Sequence, residues 1–200
     1  MKYAMFLALG LLASPAMAQG PSFDCGQAEG AVEELICTSP ELSALDRELT
    51  RLFDLVADGP NMTDTLFKGI QAYQRGWIKG RDDCWKTTDV TACVQQAYAT
   101  RIAQLRAAHA DARAHPGDSL GPFPYTCPGF NDVISVTFIN AGDPMAVVQW
   151  QDVTKVLSQS AAASGARYSD GQVTFWTKGD SAQFTTPTGK TVTCQQDDMG

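Results

Sequence analysis

The chain has 200 residues, of which 44% are hydrophobic and 18% charged, and it carries a formal net charge of −7 at pH 7. That length allows one or two domains. The acidic balance disfavours nucleic acid and anionic membrane surfaces as partners and favours a basic protein.

Residues 1–18 read as a secretory leader. Lys2 supplies the positive start, residues 3–12 form a short apolar run, and Ala16-Met17-Ala18 is a small-x-small cleavage site. The run is too short to span a bilayer, and no later stretch is long and apolar enough to do so, so no transmembrane segment is expected. With cleavage after Ala18, loss of the single charge on Lys2 takes the mature chain from −7 to −8. Gln19 stands at the cleavage point and the first cysteine is Cys25, so no lipid anchor is expected. The mature protein should be soluble outside the cytoplasm.

Residues 22–113 carry helical periodicity. Ala28, Val32, Leu35 and Ile36 mark a short first run. Ser39 is a candidate N-cap with Pro40 at the first helical position, and Leu42, Leu45, Leu49, Leu52 and Val56 then recur at spacings of 3 and 4. Leu66, Phe67, Ile70, Tyr73, Trp77 and Ile78 repeat the pattern, and Val90, Val94, Ala97, Tyr98, Ile102 and Leu105 repeat it again. Four helices with short connections make a small bundle. Periodicity is lost at 109–121, where Pro116, Gly117 and Gly121 are breakers, so this stretch reads as a linker between domains at 19–108 and 122–200.

From Tyr125 the signal changes to strands. DVISVTFI alternates and is rich in β-branched residues, and MAVVQW, VTKVLS, SGARYS, QVTFWTK, SAQFTT and KTVTCQ follow with turn residues between them. With the segment at Tyr125–Cys127 this gives eight short antiparallel strands, which a closed barrel would leave without exposed edges. The fold class is therefore α+β with two domains, a small helical bundle followed by an eight-stranded antiparallel β-barrel.

All six cysteines lie beyond the leader, and in an oxidising compartment an even number reads as disulfides. Six cysteines leave many connectivities open. The economical choice pairs nearest neighbours, Cys25 with Cys37, Cys84 with Cys93 and Cys127 with Cys194. Zinc needs closely paired C-x₂₋₄-C ligands and these spacings are far wider, so no metal is expected.

Enzyme motifs fail on spacing, and no cofactor is implied. Thr188-Gly189-Lys190-Thr191 ends like a phosphate-binding loop, but Phe184 stands where its first glycine belongs. Ser164-Gly165-Ala166-Arg167 has arginine where the penicillin-binding S-x-x-K motif needs lysine. The two histidines, His109 and His115, fit no catalytic spacing. Glu33-Glu34, Asp82-Asp83 and Asp197-Asp198 are adjacent carboxylates, not a pair facing each other across a cleft.

The C-terminal half nevertheless holds a long ordered motif. It consists of Ser164-Gly165-Ala166-Arg167-Tyr168-Ser169-Asp170 followed by Phe175-Trp176-Thr177-Lys178-Gly179-Asp180, with Tyr125 and Cys127 near the start and Thr193-Cys194 near the end. Over Tyr125–Gln195 this resembles the MliC family, inhibitors of c-type lysozyme in Gram-negative envelopes. The resemblance implies an eight-stranded barrel, a periplasmic place of action, a c-type lysozyme as partner and no catalysis of its own. It puts the inhibitory serine on Ser164 and the inhibitory lysine on Lys178, side chains that enter the lysozyme cleft and engage its two catalytic carboxyl groups. Tyr168 and Arg167 join them as expected lysozyme contacts. Many members are lipoproteins, and this chain departs from them in lacking the anchoring cysteine.

Residues 22–105 resemble the LprI-like domain, also linked to lysozyme inhibition. The matching residues include Phe23-Asp24-Cys25, Leu35-Ile36-Cys37, Leu42-Ser43-Ala44-Leu45-Asp46, Gln74-Arg75-Gly76-Trp77, Arg81-Asp82, Cys84, Cys93 and Tyr98. The alternative to an inhibitor is a non-catalytic envelope module that binds a glycan or another periplasmic protein. Inhibition by two side chains makes a further demand on the hairpin around Asp170-Gly171. A turn centred on Gly171 puts Ser164 directly opposite Lys178, whereas a two-residue Asp170-Gly171 turn puts it opposite Thr177.

Overall fold

A computed structural model describes residues 19–197, and the leader expected at 1–18 lies outside the described residues. A 3₁₀ turn at Cys25–Gln27 is followed by α1 (Ala31–Thr38), α2 (Pro40–Ala57) and α3 (Asp64–Asp82). A second 3₁₀ turn at Asp83–Lys86 leads into α4 (Val90–Ala108) and the short α5 (Ala110–Ala114). Then come β1 (Ser119–Thr126), β2 (Val133–Ile139), β3 (Met145–Trp150) and β4 (Val153–Ser160), and after them β5 (Ala166–Ser169), β6 (Thr174–Lys178), β7 (Ser181–Thr185) and β8 (Thr191–Gln196). The strands form a closed antiparallel barrel in sequence order, β1 pairing with both β2 and β8.

The helix starts follow local chemistry. The Ser39 hydroxyl accepts from Leu42 N at 3.2 Å with Pro40 behind it, Thr63 accepts from Leu66 N at 3.3 Å, and Asp89 accepts from Ala92 N at 2.9 Å. Leu42, Leu45, Leu49, Leu52 and Val56 of α2 are all buried, against Val94, Tyr98, Ile102 and Leu105 of α4. Disulfides join Cys25 to Cys37, Cys84 to Cys93 and Cys127 to Cys194, the nearest-neighbour set, and the last ties the end of β1 to β8.

The helical core contains a satisfied polar chain. Asp46 accepts from the Tyr98 hydroxyl at 2.8 Å and from Ser22 N at 2.7 Å. Arg81, 4% exposed, donates to the Tyr98 oxygen at 2.8 Å and pairs with Asp82 at 2.7 Å. Burial pushes the Tyr98 hydroxyl far above its ordinary range. Trp77 stacks edge-on to Tyr98 with centroids 5.2 Å apart, so the tryptophan and arginine of the helical motif are scaffold. α3 departs from its apolar pattern. It packs through Ile70, Trp77 and Arg81, and leaves Leu66 and Tyr73 each 55% exposed.

Strand β3 shows how the halves meet. Ala146, Val148 and Trp150 point into the barrel, and Met145 and Val147 point out of it. The outward pair, with Ile139 and Ala141, belongs to the same buried cluster as the helices. A strand apolar on both faces is one buried on both faces, and here one side fills the barrel while the other completes the bundle. Gly142, at φ 67°, allows the β2–β3 turn to reach α2, because a Cβ there would stand 2.8 Å from the Glu41 carbonyl oxygen.

The stretch 109–121, a linker by sequence, instead holds α5 and the start of β1. Its order comes from polar side chains, which apolar periodicity does not report. Arg106, 2% exposed, donates to the carbonyls of Gly121 at 2.8 Å and Ala112 at 3.0 Å. The buried Ser119 hydroxyl donates to Glu48, whose carboxylate also takes Arg51 at 2.7 Å. The two halves therefore share the helical core cluster and a polar seam, while the barrel interior holds a second cluster of its own.

Candidate functional site

β5, β6 and β7 stand four places round the closed barrel from β1, β2 and β3, so they form the wall opposite the helices. In β6, Phe175 fills the interior while Trp176 and Lys178 point outward; in β7, Ala182 and Phe184 point in and Gln183 points out. Pairing sets Trp176 beside Gln183 and Lys178 beside Ser181.

The hairpin register differs from both expected ones. Ala166, not Ser164, lies opposite Thr177, and Ser169 lies opposite Thr174, leaving a four-residue turn at 170–173. The turn is longer because Asp170 Oδ1 accepts from Gln172 N at 2.9 Å and Val173 N at 2.7 Å, while Ser169 Oγ takes Gly171 N at 3.1 Å. Val173 is thereby buried in the barrel. Burial would raise the Asp170 carboxyl, but those N–H donors and Lys155 outweigh it and hold the group below the ordinary carboxylate range.

Ser164 consequently sits in the loop before β5, not in the ladder. Two features hold it against β6. Trp176 Nε1 donates to the Ser164 carbonyl oxygen at 2.9 Å. Gly165 adopts φ 68°, and a Cβ on it would stand 2.2 Å from the Thr177 carbonyl oxygen and 3.2 Å from Lys178 Cβ. A surface depression of about 320 Å³ is lined by Ser164, Trp176, Lys178, Ser181, Ala182 and Gln183. Ser164 and Lys178 are both exposed. Among the described residues no carboxylate pairs with Lys178, and the Ser164 hydroxyl engages no protein partner. One hydroxyl and one ammonium thus face solvent from the same hollow.

Arg167 is exposed on the outer face of β5 and lines an adjoining hollow, with Trp176 as the ridge between the two. Tyr168 departs from expectation. It is 4% exposed and packs on Phe138 at 5.5 Å inside the barrel, because strand alternation turns residue 168 inward when 167 faces out. Burial pushes its hydroxyl above the ordinary tyrosine range. It belongs to the barrel interior and does not reach the surface. Ser181 and Gln183 join the site through the β6–β7 pairing alone, and no sequence motif marks them.

The fold is a helix-braced antiparallel barrel that carries an exposed hydroxyl and an exposed ammonium in one hollow. Comparison with known proteins agrees in both halves. The family described as lysozyme inhibitor LprI matches residues 24–114, and the family described as membrane-bound lysozyme-inhibitor of c-type lysozyme, MliC, matches residues 125–193. Lipoprotein LprI of Mycobacterium tuberculosis and of Mycobacterium bovis are each 30% identical over 159 residues, 78% of this chain and 75% of theirs. Pseudomonas aeruginosa MliC, solved in complex with hen egg white lysozyme, is 35% identical, with 45% of this chain and 98% of that chain covered and a TM-score of 0.34. The chain belongs to the LprI family and carries an MliC domain as its C-terminal half.

Proposed function

We propose that this protein is an inhibitor of c-type lysozyme, active in the periplasm, and that it works by inserting Ser164 and Lys178 into the lysozyme cleft. The observation that carries this reading is the hollow shared by Ser164 and Lys178 on the wall facing away from the helices, where both side chains are exposed and unengaged. Lysozyme holds an ionised aspartate beside a glutamic acid kept protonated by its apolar pocket, with the two carboxyl groups about 5–5.5 Å apart. The Lys178 ammonium suits the aspartate. The Ser164 hydroxyl, able to donate or accept, suits the glutamic acid. The chain acts as a plug and performs no chemistry of its own.

The net charge of −7 favours encounter with a basic enzyme. Inhibition belongs to the barrel half on this account, with the helical half bracing the far wall. Gel filtration with a c-type lysozyme, followed by a cell-wall lysis assay on the mixed fraction, tests it. Co-elution with loss of lysis is expected. Co-elution with lysis intact would identify an envelope binding module instead, and absence of a complex would end the proposal.

A further inference from the structure

A further concavity lies where α3 and α4 approach the barrel, away from Ser164 and Lys178. Ile70, Tyr73, Gln104, Ala108 and His109 line it, with Gln149 of β3 on the barrel side. Its volume of about 600 Å³ falls within the range of small-molecule sites. Arg101 also lines it and is 6% exposed.

Arg101 is the exception among the buried arginines. Arg81 pairs with Asp82 and Glu33, and Arg106 donates to two carbonyls and to Ser119. Arg101 donates from Nε to Gln74 Oε1 at 3.0 Å, and the Tyr73 ring covers its guanidinium at 4.4 Å. Among the described residues no carboxylate pairs with it, and its two terminal nitrogens have no protein acceptor. A guanidinium stays charged in a protein, and because no fully buried side-chain nitrogen among the described residues lacks a partner, these two nitrogens open onto the groove and its solvent. The donors left over form the planar fork that takes a carboxylate through two parallel bonds. The surrounding wall of Ile70, Tyr73 and Ala108 is apolar.

We infer that this groove binds a carboxylate carried on an apolar body, the Arg101 guanidinium taking the carboxylate and the Ile70–Tyr73–Ala108 wall taking the body. The site is separate from the lysozyme-facing hollow and does not depend on it. Two sources share this chemistry, a free organic acid and the C-terminal carboxylate of a hydrophobic peptide.

Calorimetric titration of the full chain tests the inference. The probes are octanoate, its uncharged analogue octanol, and the dipeptide Ala-Leu with a free or an amidated C-terminus. Saturable binding of octanoate, of free-acid Ala-Leu or of both is expected at about millimolar concentration or below, with octanol and the amide silent. Octanoate alone would point to a free acid, and the dipeptide alone to a peptide end. Arg101→Met keeps the flexible apolar stem, removes the charged fork and should weaken binding by about tenfold or more. Gln104→Glu, one turn along α4, places a carboxylate beside Arg101 from within. It should abolish binding while keeping or raising the melting temperature, which separates loss of the site from loss of the fold. Lys178→Ala should leave octanoate binding unchanged. Failure of both carboxylates to bind, equal binding of octanol, or full binding by a folded Gln104→Glu variant would overturn the assignment.

Discussion

Gly165→Ala isolates the placement of Ser164 from its chemistry. The backbone at 165 has φ 68°, where an L-residue costs about 1–2 kcal/mol. The new Cβ would also stand 2.2 Å from the Thr177 carbonyl oxygen. Thr177 is held by ladders to both β5 and β7 and cannot retreat, so the exposed loop must move. Moving it breaks the bond from Trp176 Nε1 to the Ser164 carbonyl, a net loss of about 0.5–1.5 kcal/mol. It also carries the hydroxyl away from its partner, leaving a buried carboxyl short of a bond at about 1–3 kcal/mol. At about 1.4 kcal/mol per decade, the inhibition constant should rise by roughly tenfold to a hundredfold. The fold should survive, because the strain relaxes into a loop. A stability loss of about 2 kcal/mol lowers the melting temperature of a chain this size by roughly 4–8 °C. A turbidimetric lysis assay gives the first number and a dichroism melt the second. An unchanged inhibition constant in the folded variant would refute the argument that this glycine sets the position of Ser164.

Three further outcomes follow from other parts of the molecule. Association with a basic lysozyme should slow as salt rises, since the −7 charge steers encounter over a screened distance; stopped-flow rates identical at low and high ionic strength would contradict this. Met145→Ala, at a residue 3% exposed in the core shared by helices and strands, should cost about 2–5 kcal/mol. Helical and aromatic dichroism should fall in one transition, and two separate transitions would show that the halves are not coupled. The Asp170 carboxyl is held below its ordinary value, so the stability it contributes is present above about pH 4 and is lost as pH falls further. Melting temperatures of Asp170→Asn should therefore decline less steeply than wild type in acid, and parallel declines would remove Asp170 from the account.

What the sequence makes legible is local. Ser39-Pro40 and the run from Leu42 to Val56 announce α2, and each pair of neighbouring cysteines closes over one element or one domain. The seam between the halves is not local. MAVVQW is apolar without a break, but a short apolar run reads the same whether it fills one core or separates two. Arg106, Ser119 and Glu48 order residues 109–121 by polar bonds that leave no periodic trace. Leu66 and Tyr73 fit the apolar stripe of α3 but are exposed, because α3 is covered on one side only. Within the site, Ser164 and Lys178 stand out through the motif that contains them. Tyr168 travels in the same motif, yet strand parity turns it inward. Ser181 and Gln183 arrive by pairing across the turn at Gly179, which depends on the β6–β7 register rather than on any pattern of their own.

In the proposed mechanism Ser164 and Lys178 disable lysozyme together. Loss of Lys178 would leave a desolvated carboxylate unpaired, at about 2–5 kcal/mol, and loss of the Ser164 hydroxyl adds about 1–3 kcal/mol. The direct measurement is the inhibition constant of the full chain and of the Ser164→Ala/Lys178→Ala double variant against one c-type lysozyme, with the folds of both checked by melting. Tight inhibition by the wild type is expected, with a loss of about a hundredfold or more in the folded double variant. Full inhibition by that variant would contradict it.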